Sequence, residues 1–323
     1  LPQRTAFALG PGERWAALAA LCYAGTNILL RAAAVTTDPL TAAIMRLIPV
    51  TTLAWGLTLS TGRGGDLNPR RAQFIGWKIV LWLALSGAAS YFVGNNAYQL
   101  ALRFGGINLT VPVAQSASLW GGIVLGAAFL GERFSRKVVW GGSAVVAGLL
   151  LITSGGVTPL GLEWYLAMPL AAAAGLGYAA SNLLMRFAFQ RGAAQFPALA
   201  VNAISGLTLL LIAAVLRDGF NFLTGTPPQT LWALLGAGVF NAGALLSLSR
   251  ALTLTTAGRV NAINVGSIVI STLAAVVIFR EPLTPSIASG IALIVGGILL
   301  VQRYLAAPHP ETIPQPGAVV RTR

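Results

Sequence analysis

Charge is what this sequence has least of: 9% of its 323 residues are Asp, Glu, Lys or Arg, against roughly 25% in a soluble domain. So few charges cannot wrap two globular cores in water, and an apolar content of 56% excludes a disordered chain. Cysteine is nearly absent. The single Cys22 can close no intramolecular disulfide and can build no cysteine-based metal framework. The single histidine, His309, lies in a proline-rich tail. The eight acids, Glu13, Asp38, Asp66, Glu132, Glu163, Asp218, Glu281 and Glu311, fall at the ends of apolar stretches, in loops or in the tail. No nucleophile, base or metal cluster is therefore available for an intramembrane enzyme, and neither a metal nor a cofactor is expected. Proton exchange through a midplane carboxylate or histidine is not expected either.

What is present is uncharged length. Residues 79–102, 104–131, 138–162, 164–185, 192–216, 219–249, 260–279 and 282–302 contain no charge, and each run has 20 or more residues. About 20 residues at 1.5 Å each cross a hydrocarbon core of about 30 Å. Two shorter runs, 15–30 and 47–62, are flanked by Arg residues that can snorkel to the interface. The pattern predicts spans near 14–34, 38–61, 78–103, 107–131, 137–154, 163–186, 194–216, 229–250, 258–279 and 284–303. The N-terminus lacks the pattern of a cleaved signal, so the first helix is expected to be retained.

The net charge of +13 then concerns topology. With both termini cytoplasmic, sixteen loop cations lie inside and only Arg31, Arg103, Arg217 and Arg280 outside, with Arg46 within the second span. That bias predicts an inner-membrane, multi-pass protein with cytoplasmic ends. Cations scattered over short connectors face anionic lipid, and no basic stripe exists for nucleic acid.

The chain also repeats. Tyr23, Ala24, Asn27, Leu29 and Arg31 recur as Tyr178, Ala179, Asn182, Leu184 and Arg186 at an offset of 155. Ala101-Leu102 answers Ala251-Leu252, Glu132 answers Glu281, and Gly141 and Gly148 answer Gly290 and Gly297, at offsets of 149 or 150. Five spans per copy is an odd number, so the second copy enters from the opposite side. The expected fold is an all-α integral membrane protein of ten transmembrane helices, two inverted five-helix repeats around a central cavity. Its parts are an N-terminal cytoplasmic segment (1–13), a first repeat (14–155), a connecting loop (156–162), an inverted second repeat (163–304) and a disordered cytoplasmic tail (305–323). Inverted halves suit alternating access, since exchanging their conformations exchanges the accessible side.

At these residues the chain resembles the drug/metabolite transporter superfamily in its ten-helix EamA-type branch. The resemblance rests on the Ala-Leu pair ending the third helix of each half, the Gly131-Glu132 and Arg280-Glu281 corners, and the glycines of each last helix. It covers roughly residues 14–304. Within the superfamily the chain is similar to amino-acid exporters, which implies efflux of aromatic and other neutral amino acids. Export of other small metabolites or lipophilic cations is the alternative.

Polar residues at midplane depth line a cavity or glue helices together. Tyr91, Asn95 and Tyr98 form one stripe at i, i+4 and i+7. Tyr23 with Asn27 repeats as Tyr178 with Asn182, Gln115 aligns with Asn264, and Tyr91 aligns with Asn241. Amides and phenols both donate and accept, which suits a zwitterion or an uncharged solute. Trp120 sits mid-helix, where it either walls the site or packs, whereas Trp15, Trp77, Trp140, Trp164 and Trp232 fall near span ends. Pro112 reads as a gate or as an early helix break. Arg46 lies about 12 Å into its span, placed to pair a substrate carboxylate or to snorkel outward. Gly122 and Gly126 read as a close packing face, within one chain or between two protomers of a homodimer.

Overall fold

The computed structural model describes residues 10–33, 38–130, 135–153, 164–219, 226–278 and 284–304. Among them the long elements are helices: α1 (Pro11–Ala33), α2 (Pro39–Ser60), α3 (Trp77–Gly87), α4 (Asn95–Leu130), α5 (Arg136–Thr153), α6 (Ala167–Gln190), α7 (Gln195–Asp218), α8 (Pro228–Leu254), α9 (Ala257–Ile278) and α10 (Pro285–Tyr304). Short 3-10 turns occupy Arg63–Leu67 and Trp164–Leu166, and a π-helical turn, Ala88–Gly94, joins α3 to α4. A chain solvated by lipid must satisfy its backbone internally, which is why helices dominate.

Among the described residues six stretches are long and apolar enough to cross a membrane: Leu40–Ser60, Trp77–Tyr98, Val113–Leu130, Ala167–Gln190, Gln195–Asp218 and Pro228–Leu254. A shorter apolar helix spans Pro285–Val301.

The third and fourth expected spans are not separated by a loop; helical backbone runs through both. A straight α4 of 36 residues would be about 54 Å long. Yet Ala101 and Ala114 join one buried cluster with Ala171. Gly94 packs on Gly177 while Ala114 packs on Gly175, two residues away on α6. The run therefore doubles back between Ala101 and Ala114 and crosses twice. The intervening sequence holds Gly105, Gly106 and Pro112, residue types at which helices bend.

Local signals set the other ends. Asp38 caps α2, accepting from the amides of Leu40 at 3.0 Å and Thr41 at 3.1 Å, and Pro39 opens the first turn. Gly219 ends α7 with φ of +63°.

The largest apolar cluster joins α1, α2, α3, α6, α7, α8 and the start of α9, and a second joins α4, α5, α9 and α10. The most extensive pairings are α4 with α6, α5 with α10 and α1 with α8. The glycines of α5 and α10 bring two backbones together. A Cβ on Gly148 would lie 2.6 Å from the Gly290 carbonyl, and one on Gly141 would lie 2.9 Å from that of Gly297. Gly122 faces the Asn261 side chain on α9. These small residues are used within the chain.

The Glu132 and Glu281 corners, the 156–162 connection and the 305–323 tail lie outside the described residues, as do the side chains of Pro112 and Arg31.

Candidate functional site

Arg46 organises the polar centre. It lies two turns into α2 and is half-buried. Its Nε donates to the Ala42 carbonyl at 3.3 Å and its Nη2 to Asn95 Oδ1 on α4 at 3.2 Å. The cheap alternative of reaching outward to the surface is not the conformation adopted. Tyr23 of α1, Tyr91 of the π-turn, Tyr98 of α4 and Tyr178 of α6 all lie within electrostatic reach of the guanidinium. Each of the four phenols is half-buried, keeping accessible surface although it sits among helices.

The π-turn places this group. Seven residues, Ala88–Gly94, are wound wider than an α-helix, immediately before Asn95. Such turns concentrate at functional sites because they break the regular ladder and re-aim side chains. Tyr91 occupies it, with its ring against Gly206 of α7, and the ring of Tyr178 lies against Gly94. Glycine is needed at both positions because an aromatic ring fills the space of a side chain.

Three atoms of the expected site are buried with no hydrogen-bond partner among the described residues: the Tyr91 hydroxyl, Asn95 Nδ2 and Asn264 Oδ1. Unpaired buried polar atoms are costly, and a water or a solute is what completes them. Among the described residues no carboxylate pairs with Arg46.

The structure thus gathers Arg46, Tyr91, Asn95, Tyr98 and Tyr178 together with Tyr23. The other expected residues fall elsewhere or stand apart. Asn182 is buried and donates to Asn261 Oδ1 at 2.7 Å, while Asn261 donates to the Ser118 carbonyl at 3.2 Å, tying α6, α9 and α4. Asn27 is exposed and donates to Ser271 on α9 at 3.4 Å. Trp120 packs against Gly142 of α5 and the second apolar cluster. Gln115 and Asn241 are half-buried on α4 and α8.

Sequence reading missed four polar devices. Asn202 on α7 donates to Ser86 Oγ at 2.6 Å, and Ser86 reaches Ser181 Oγ at 3.0 Å, forming a buried knot of α3, α6 and α7. Arg186 is buried and donates to the Leu252 carbonyl at 2.8 Å and to that of Thr255. It caps the C-terminus of α8, where a cation offsets the helix dipole. Glu13 pairs with Arg259 at 2.8 Å, and Asp38 pairs with Arg217 at 2.8 Å. The second offsets the burial that would otherwise raise Asp38; with the Thr41 and Leu40 amides it holds the carboxyl below its ordinary range.

A helical membrane protein with a polar, partly accessible centre is the architecture of a solute transporter. The model of the EamA-like transporter family matches residues 10–154 and 165–303, so the chain belongs to that family, within the drug/metabolite transporter superfamily; it is a multi-pass transporter and not an enzyme. A solved crystal structure, described only as that of a protein, is similar in fold with a TM-score of 0.76 at 19% identity, covering 91% of this chain and 99% of that one. No curated protein matches.

Proposed function

We propose that this transporter exports neutral amino acids, aromatic ones among them, across the bacterial inner membrane by alternating access between two inverted five-helix halves. The substrate class rests on the resemblance to amino-acid exporters together with the chemistry around Arg46. The observation that carries the reading is a guanidinium with no described carboxylate, beside a phenol and an amide whose buried polar atoms have no partner. A zwitterion suits those groups: its carboxylate pairs Arg46, its ammonium finds phenol oxygens, and an aromatic side chain stacks on tyrosine rings.

Symmetry of contacts supports the inverted halves. Exchanging α1–α5 for α6–α10 turns the α1–α8 pairing into α6–α3, α1–α9 into α6–α4, α2–α8 into α7–α3 and α9–α10 into α4–α5, all of which occur. The pairings α2–α7, α4–α9 and α5–α10 map onto themselves. Directions agree. Glu13 at the start of α1 meets Arg259 at the start of α9, whereas Asp38 at the start of α2 meets Arg217 at the end of α7. α1 therefore runs toward the end from which α6 departs. The two ion pairs bridge the halves at opposite ends, so each is a closure that one of the two open states must break.

Counterflow of labelled amino acids into proteoliposomes tests this reading. Tyr91→Phe and Asn95→Ala are expected to slow counterflow of phenylalanine and tryptophan at least about tenfold. Undiminished counterflow in both variants, or no amino-acid counterflow by the unaltered protein, rejects it. A strict requirement for a pH gradient would reject transport without proton coupling.

A further inference from the structure

Away from the polar centre, a cleft of about 560 Å³ opens where α3 begins and α6 ends. Two cations line it, Lys78 in the first turn of α3 and Arg191 just past α6, together with Trp77, Trp82 and Phe187. The guanidinium of Arg191 lies over the Phe187 ring, 3.3 Å from its centroid, and the Trp82 and Phe187 ring centroids are 4.9 Å apart. No described carboxylate pairs with Lys78 or Arg191. The N-terminus of α3 adds partial positive charge, since its cap, Gly76, has no side chain to occupy the first amides. Trp77 is 67% exposed and Trp82 37%. Amphipathic rings exposed at a helix end mark the headgroup level of a bilayer.

We propose that this cleft is a binding site for an anionic glycerophospholipid. The phosphate sits between Lys78 and Arg191, and the first acyl carbons lie along Trp82 and Phe187. Cations between spanning helices at the membrane surface suit a phosphate diester, and aromatic walls suit what hangs beneath it. A soluble anion would use the same cations but would leave the aromatic floor uncovered. Because Lys78 belongs to α3 and Arg191 follows α6, the lipid spans two helices of different halves and steadies their contact.

Native mass spectrometry of the detergent-purified protein tests the site. With phosphatidylglycerol and phosphatidylcholine added at equal concentration, the unaltered protein is expected to retain the anionic lipid roughly fivefold more. Lys78→Gln with Arg191→Gln brings the ratio near one, while the charge-keeping exchange Lys78→Arg with Arg191→Lys preserves it. Thermal unfolding supplies a second reading. Phosphatidylglycerol raises the melting temperature of the unaltered protein and not of the double Gln variant, whereas loss of a purely structural Arg191 contact would lower both curves equally. If that variant does not fold, the single Lys78→Gln must at least halve the ratio. A ratio near one in the unaltered protein, a ratio unmoved by the Gln changes, or stabilisation reproduced in full by inorganic phosphate would each overturn the lipid assignment.

Discussion

Arg46 Nη2 and Asn95 Oδ1 stand 3.2 Å apart, joining α2 to α4 and turning the amide so that its Nδ2 is buried with no partner among the described residues. The contact spends only one side of each group.

Replacing Arg46 separates anchoring from packing. Arg46→Gln is expected to slow counterflow of carboxylate-bearing solutes at least about tenfold, roughly 1.4 kcal/mol of lost interaction. Arg46→Lys should restore little, because an ammonium cannot reproduce the planar fork that meets an amide and a carboxylate together. Initial rates in proteoliposomes, compared with an amino-acid amide lacking the carboxylate, give the measurement.

The Glu13–Arg259 pair is more enclosed than Asp38–Arg217, with side chains 13% and 15% exposed. Glu13→Gln is expected to lower stability by about 1–3 kcal/mol, since it removes a charged contact from a largely enclosed guanidinium. The reversed pair, Glu13→Arg with Arg259→Glu, should recover part of that loss. Melting temperature in detergent reads both.

Asp38 makes its ion pair with Arg217 sensitive to acid. Burial opposes its charge, but Arg217 and the amides of Thr41 and Leu40 outweigh it, so the folded carboxyl ionises below its ordinary value. A depressed carboxylate contributes stability that is complete above the unfolded value, about 3.9, and is lost as pH falls through the folded one. Both side chains are over a third exposed, so screening holds the contribution to no more than about 1 kcal/mol. Asp38→Asn should flatten that acid limb in melting curves taken across the carboxylate range.

Neighbouring glycines on α10 should behave oppositely. A Cβ on Gly297 would sit 2.5 Å from the Gly141 carbonyl, whereas one on Gly296 meets nothing within 4 Å. Gly297→Ala is therefore expected to cost about 1–3 kcal/mol through overpacking. Gly296→Ala should be neutral or stabilising by up to about 1 kcal/mol from helix propensity.

Much of this was legible in the sequence because lipid imposes simple rules. Uncharged runs located the helices, and the stripe of Tyr91, Asn95 and Tyr98 located one wall of the polar centre. The turn between Ala101 and Ala114 was visible as a change of span but not as continuous helix, since glycines and a proline mark a bend without giving its geometry. Partners were the illegible part. Asn182 offers the same amide whether it meets a solute or Asn261, and only tertiary packing chooses. Arg186 resembles any cation at a span end, yet its target is the last turn of α8, 66 residues further along. Trp120 is likewise mid-helix by sequence, and its side of the helix is settled by the space that Gly142 leaves.

The most direct test of the proposed mechanism asks which water phases reach the polar centre. In a Cys22→Ala background, Tyr98→Cys places one thiol beside Arg46, and a membrane-impermeant maleimide is applied to either side of sealed, oriented vesicles. Alternating access predicts labelling from both sides, slowed by a saturating aromatic amino acid. A thiol that reacts from neither side, or from one side at a rate the amino acid leaves unchanged, would contradict it.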